Sequence, residues 1–542
     1  MTTVDIGDVI TSARTFNPAR VINKTENIFK VADAGFNLQS LANFPYTAYL
    51  QQVSKYDEWE KWFTGEALVS ESKKGGEKAD RYPIKVNPLK SIILKHAFAL
   101  FGEYPETDPG QLVHFRLLAR DIKSDEAKTA AQLGSDVLNH VWYESNGGAI
   151  MMENGIISQY CGGCVFGAYY LPELRDQLLY PFRIERIVPK EFFGVPYENN
   201  PWKLKEAWII RKITAETARE YGVIISSPEG YYIEHWTPTE QHFMINGQSL
   251  MVQVWGESVE WGGVNPNGFV PFVYIPHIRS SGFLGSTMVT DSIMGLTREL
   301  NLRMGDIGDA VNDESHGFTA MRNVKGSPDF IRLKNGLPVL NLGSTQGITG
   351  NENAPDIFSV QMQPVSQTMV DFTEVLYSHI RRETNVPAVA DGEDQSSQRS
   401  ALNLEVKFWP LTSHTKMERV LWSAGLNSLN RMLLSMMEKQ GYGGITQEHL
   451  QMRAKTNWYP ILPKDRQQLI QEVVQRVVNK LGSIQTMMEK LGDIDDVEEE
   501  TQKMMEWMEF ENKLKLEQQE ASAKIAAENA PKKVPTGGSN AR

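Results

Sequence analysis

The only cysteines in the 542 residues are Cys161 and Cys164, in the run Tyr160-Cys161-Gly162-Gly163-Cys164-Val165. Cys-x-x-Cys is the spacing of a dithiol redox pair or of half a zinc site. A tetrahedral site needs two more ligands and there is no second cysteine pair, so the run reads as a buried strand or turn. A second chemistry-bearing group is the acidic stretch Asp391-Gly392-Glu393-Asp394. Clustered carboxylates can hold a divalent cation, and a metal-dependent nuclease or hydrolase could be built on Asp391, Glu393 and Asp394. Their spacing does not follow the twelve-residue calcium loop, which favours a solvated acidic tip. The histidines are scattered and none falls in a His-Glu-x-x-His helix. No Gly-x-x-x-x-Gly-Lys-Ser/Thr run supplies a phosphate cradle for ATP hydrolysis. The expectation is a non-enzymatic chain with no cofactor and no metal.

Composition narrows the class further. A chain of this length exceeds one ordinary hydrophobic core, so several packed regions are expected. Hydrophobic residues at 41% and charged residues at 23% lie near globular averages and exclude wholesale disorder. The net charge of -12 argues against a broad basic face gripping nucleic acid, because such affinity comes from Lys and Arg displacing phosphate counterions. The first residues, with Asp5 and Asp8, lack the basic start and apolar core of a signal peptide, and two cysteines make no disulfide framework, so a cytoplasmic setting is expected. The most apolar stretch, 92–101, is interrupted by Lys95 and His96 and falls well short of the roughly 20 residues that span a bilayer.

The elements that would position these groups follow from periodicity. Pro88 near a first turn and Gly102 after the last apolar residue predict a helix over 88–101, and residues 127–143 predict a second. From 164 to 275 short apolar and aromatic runs between turn residues predict antiparallel strands at 166–171, 207–213, 231–236 and 269–275. Asn246-Gly247 and Pro228-Glu229-Gly230 are candidate tight turns. Ile293, Leu296, Leu300, Met304, Ile307 and Val311 recur at steps of three and four, predicting a long helix over 286–314. A Gly-, Pro- and Asn-rich stretch follows, with strand-like pieces at 330–333 and 339–342, before helical spacing returns at Met369, Phe372, Leu376 and Ile380. The polar run to Ser400 reads as a loop, and 401–440 as a helix carrying Pro410, where a lost backbone donor predicts a kink near Trp409. Helical spacing over 466–491 and a charged helix over 497–527 precede a Pro- and Gly-rich tail expected to be disordered. The acidic run 493–500 reads as a solvated connection whose charge suits a helix start.

This order of parts, α+β in class, resembles the portal proteins of tailed bacteriophages. The local likeness lies in Asn87 to Pro105 with its Phe101-Gly102 turn, in Gly268-Phe269-Val270-Pro271-Phe272-Val273-Tyr274-Ile275-Pro276, and in Asn385-Val386-Pro387-Ala388 followed by Ser400-Ala401-Leu402. The resemblance implies a portal-like subunit with a mixed α/β wing (1–285), a stem helix (286–317), a small α/β clip (318–365), a second stem helix (366–385) and a tunnel loop (386–400). A kinked long helix with a wing return (401–462), a helical crown (463–530) and a disordered tail (531–542) complete it. It further implies a ring of twelve copies at one capsid vertex, with double-stranded DNA passing through. Its partners would be a terminase motor, head-completion or tail adaptor proteins, and capsid and scaffold proteins. No membrane is implied; the setting is the virion, after assembly in the host cytoplasm. The tunnel loop would offer DNA the side chains of Asp391, Glu393, Asp394, Gln395, Ser396, Ser397, Gln398 and Arg399, with Pro410 as hinge. A different head-tail connector or a scaffold protein would share ring or shell assembly without the helix-clip-helix-loop order.

Overall fold

The computed structural model describes residues 30–31, 36–68, 84–102, 112–120, 124–171, 174–254, 257–260, 262–279, 282–315, 318–322, 339–341, 356–360, 366–392, 401–461, 466–479, 481, 487 and 497–528. They form a mixed α and antiparallel-β chain of two compact units, 1–462 and 463–542.

The first unit opens with the helices α1 (Tyr46–Thr64), α2 (Pro88–Phe101), α3 (Asp125–Glu144) and α4 (Gly147–Cys161). Asn87 caps α2 by accepting from the Lys90 amide, Pro88 occupies its first turn, and Gly102 closes it at φ 78°. A side chain at Gly102 would lie 2.3 Å from the Pro460 carbonyl, which is why the chain leaves this helix through glycine. Helix α3 opens on a Ser124 cap with Asp125 and Glu126 in its first turn, where carboxylates suit the helix dipole. Helix α4 exposes only a narrow strip at Ala149 and Glu153, while Met151, Asn154, Gly155, Ile157, Ser158, Gln159 and Tyr160 are all buried.

The strands of this unit include β1 (His114–Leu118), β2 (Gly163–Tyr170), β3 (Phe182–Ile187), β4 (Phe192–Tyr197), β5 (Asn200–Thr214), β6 (Glu229–Trp236), β7 (Glu240–Ile245), β8 (Gln248–Ser249) and β9 (Phe272–Pro276). They build an antiparallel sheet in the order β9-β2-β3 and a larger sheet running β8-β7-β6-β5-β4. Asn246 and Gly247, at φ 46° and 74°, make the expected tight turn between β7 and β8. Pro228-Glu229-Gly230 is not a turn: Glu229 and Gly230 begin β6 and pair with Thr214 and Ile213 of β5. The residues between those two strands instead form a short helix at Ala215–Glu220 and a strand at Val223–Ile224, so no tight connection is needed.

Helix α5 (Asp291–Ser315) leads to three short strands, β10 (Phe318–Arg322), β11 (Val339–Asn341) and β12 (Asp356–Val360), with β10 central, parallel to β11 and antiparallel to β12. Helix α6 (Gln367–Glu383) returns. The chain before Asp291 does not join α5 as the spacing predicts, because Ser286 bridges back to Ile278. The expected strand at 330–333 lies outside the described residues. Leu300, Leu376 and Ile380 of the two helices are buried together with Ile92 of α2, Met288 and Val386. Ser292 donates to Glu383 (2.7 Å) across the pair, and the Asn301 amide spans the backbone N–H and C=O of Val86.

Helix α7 (Ala401–Gln440) carries Pro410 inside it. Its second half enters the main core, where Trp422, Leu426, Leu429 and Leu433 are fully buried at steps of three and four. Trp422 meets Phe101 and Phe166 edge-on at 5.6 and 5.9 Å, and Trp142 donates to Asn430 at 2.8 Å. Each such side chain removed from water contributes about 1.5–3 kcal/mol, so α7 is fastened to α2, α3 and β2 at this end. The strand β13 (Arg453–Asn457) then pairs with β1. The second unit holds α8 (Arg466–Val478) and α9 (Val497–Glu528). Among the described residues, no helix is long and apolar enough to cross a membrane.

Candidate functional site

Asp391 is the last residue of a 3-10 turn, Ala388–Asp391, closed by Gly392 at φ 80°. Its carboxylate is engaged by Lys95 and, at 3.4 Å, by Arg381, so two cations already neutralise it. That pairing ties the turn to α2 and α6 and disfavours Asp391 as a ligand of a catalytic cation. Glu393, Asp394, Gln395, Ser396, Ser397, Gln398 and Arg399 lie outside the described residues. Pro410 lies within α7, where its ring nitrogen cannot donate to the Val406 carbonyl.

The Cys-Gly-Gly-Cys run is a helix-to-strand junction. Cys161 ends α4, Gly162 caps it at φ 74°, and Gly163-Cys164 start β2. The glycines are demanded by packing: a side chain at Gly163 would lie 2.3 Å from the Tyr274 hydroxyl, which donates to the Gly162 carbonyl and accepts from the Gly285 N–H. Both thiols are buried, and burial pushes their pKa values up, away from the reactive thiolate.

What sequence reading missed is a buried polar cluster at the end of α6. His96 of α2, His277 just after β9, and His414 and Glu418 of α7 come from positions 322 residues apart at the extremes. His414 and Glu418 share one face of α7 by their i, i+4 spacing. His277 Nε2 stands 2.6 Å from Glu418 Oε1 and 3.2 Å from His414 Nε2, while His414 Nε2 is 3.6 Å from Glu418. Gln159 of α4 donates to the same Glu418 oxygen at 2.9 Å. The ligand-type atoms of His96, His414 and Glu418 all lie within 4.8 Å of one another, a spacing compatible with a shared cation. His96, His277 and Glu418 are at most 2% exposed, and His414 alone reaches the edge of the cluster with a side chain 10% exposed.

The hydrogen bonds assign the protons. His277 Nδ1 lies 2.9 Å from the Ser286 carbonyl, which can only accept, so Nδ1 carries hydrogen. Its Nε2 faces a carboxylate and, in the absence of any other positive centre, must carry one too. Burial opposes the charge on His277, but the Glu418 carboxylate outweighs it and raises its pKa. Burial likewise works against ionised Glu418, and His277 outweighs it, holding the carboxyl well below the usual range. His96 donates through Nε2 to the Thr384 carbonyl (2.7 Å) at the end of α6, and burial holds its pKa down to about 4. Next to Glu418, Arg419 donates to the carbonyls of Leu100 and Ala99, satisfying the C-terminal end of α2. The cluster is a junction of α2, α4, α6, α7 and the end of β9. It lacks a nucleophile beside a base, and its chemistry is that of binding and fastening.

The signal for it was present. His96 sits in the apolar helix α2 and His277 beside the wholly buried strand β9, and imidazoles placed there must find polar partners.

Residues 308–513, from within α5 to within α9, match the family model for phage portal proteins, SPP1 Gp6-like. No curated protein sequence matches the chain. The matched span contains β10–β12, the helix α6 that follows them, the turn at Asp391 and the whole of α7, in the order already laid out, and over those residues the chain is similar to phage portal proteins.

Proposed function

We propose that the chain assembles into a closed ring, of twelve copies, forming the channel through which double-stranded DNA enters and leaves a capsid. Portal proteins are a structural family of the virion, and that family implies homo-oligomeric assembly at a capsid vertex. In this reading α5 and α6 form the stem. The insertion between them is the clip that docks a terminase motor and later head-completion or tail proteins, and residues 386–400 form a loop facing DNA. A net charge of -12 suits passage, since like-charge repulsion keeps DNA from sticking to the wall. Capsid and scaffold proteins would contact the ring from outside, after assembly in the host cytoplasm.

The observation that carries the reading is α7. Val406, Trp409, Met417 and Val420 are each 56–69% exposed and fall on one side of the helix, opposite the stripe of Trp422, Leu426, Leu429 and Leu433 that its own core covers. A helix with two apolar stripes needs two covers, and a neighbouring copy in a ring supplies the second. Phe372 and Val375 of α6 are also 43 and 48% exposed. Negative-stain electron microscopy of the purified chain is expected to show rings with a central hole; compact monomers at micromolar concentration would overturn the proposal.

Pro410 is proposed as the hinge for the 386–400 loop and the first turns of α7. Pro410→Ala restores a backbone donor and leaves Val406, Trp409, Met417 and Val420 in place, so rings are expected to persist while DNA packaging in a motor-driven assay changes. Packaging at the wild-type rate would remove the hinge from the account.

A further inference from the structure

We propose that His96, His414 and Glu418, with His277 as the fourth member, form a binding site for one divalent transition-metal ion of the zinc class. The cluster's unmet valences carry the argument. Among the described residues, His96 Nδ1 and Glu418 Oε2 are buried without a hydrogen-bond partner. A proton on His277 satisfies Glu418 Oε1 and leaves both of these atoms unpaired. An ion between the four side chains engages the bare His96 nitrogen and the carboxylate at once.

The outer hydrogen bonds fit the same occupant. A metal-bound imidazole donates its remote N–H to a carbonyl or carboxylate, which fixes the tautomer and aims the free lone pair at the ion. His277 does this to the Ser286 carbonyl through Nδ1, leaving Nε2 inward; His96 does it to the Thr384 carbonyl through Nε2, leaving Nδ1 inward. With bonds of roughly 2.0–2.1 Å, ligand atoms of a tetrahedral zinc site lie about 3.3 Å apart. The His277 to His414 separation of 3.2 Å already meets that value, and the 2.6 Å contact of His277 with Glu418 has to open slightly to admit the ion. Imidazoles plus one carboxylate select zinc-class ions over magnesium or calcium, which take oxygen ligands. His414, the one member that reaches the edge, offers the entry side.

The consequence is mechanical. An ion there joins α2, α7 and the segment after β9 in one coordination sphere and, through His96, holds the carbonyl at the end of α6. The site lies within a single chain, so its test does not depend on ring assembly.

The test uses the full chain, stripped with a chelator, desalted and reloaded with zinc chloride alone. Elemental analysis is expected to find about one zinc per chain, with His414→Asn weakening the affinity at least about tenfold. Cobalt(II) in place of zinc is expected to give visible d–d bands without a thiolate charge-transfer band, which separates this site from Cys161 and Cys164. Zinc at the level of a protein-free control, a thiolate band, or equal affinity in His414→Asn and Glu418→Gln would each overturn the proposal. If either variant fails to fold by circular dichroism, the stoichiometry and cobalt spectrum of the unaltered chain decide.

Discussion

Glu418→Ala, compared with the unaltered chain in chelator-treated protein, is expected to lower stability by about 3–5 kcal/mol, the range for removing one partner of a buried ion pair. The substitution leaves the His277 Nε2 and the Gln159 amide without their shared acceptor, and it opens a hole where α7 meets α4. Tryptophan fluorescence during denaturant unfolding should report it, since Trp422 lies one turn further along α7. The loss should depend on pH in a way that a simple cavity would not. Glu418 has its carboxyl held low in the folded chain, so its contribution is present above the unfolded value of about 4.3 and is lost as pH falls below it. His277 has its pKa raised, so its contribution is complete below the unfolded value of about 6.5 and is lost as pH rises through the folded one. The gap between the two proteins should therefore be widest between about pH 4.3 and 6.5 and narrow on both sides. A gap that is flat from pH 5 to 9, or under about 1 kcal/mol throughout, would show that the cluster is not an ion pair.

The contrast between that cluster and the helices around it shows what a single sequence makes legible. Helix α2 was readable to the residue because its ends are written in local chemistry, Asn87 and Pro88 at one side and Gly102 at the other. Helix α7 was equally plain over 401–440, and the turn at Asn246-Gly247 needs positive φ that few other residue pairs supply. Helix α4 went unread because it is buried on most sides, so only a narrow exposed strip at Ala149 and Glu153 gives it a period, and because Gly147, Gly148 and Gly155 lower its apparent propensity. Those glycines answer to packing instead: a side chain at Gly155 would lie 2.6 Å from the Phe101 ring. The Pro228-Glu229-Gly230 assignment failed for a related reason, since turn-forming residues can begin a strand when the neighbour they pair with lies far away in sequence. The candidate site was the least legible part. Its members are joined only by the fold, and scattered histidines look like surface residues until the apolar company each keeps is weighed. Of the loop residues picked out by type, Asp391 is described and is paired on both carboxylate oxygens, which makes it an anchor of the turn.

The exposed stripe of α7 gives the second large effect. Trp409→Glu is expected to abolish rings and leave monomers in mass photometry, while Trp409→Phe keeps them. Tryptophan is the residue type whose truncation at an interface most often costs 2 kcal/mol or more, on the order of a 30-fold loss of affinity per contact. A closed ring repeats the same contact at every subunit boundary, so the penalty multiplies around the circle and assembly should fail over a narrow range of concentration. Because the Trp409 side chain is 65% exposed within its own chain, the variant's thermal unfolding as a monomer should match that of the unaltered monomer. That pairing of results distinguishes an interface from a fold defect: a variant that both unfolds early and fails to assemble would place Trp409 in the subunit's own stability. Rings that survive the glutamate would mean the stripe faces something other than a second copy. The two apolar sides of α7 would then need a different explanation from the one that carries the ring.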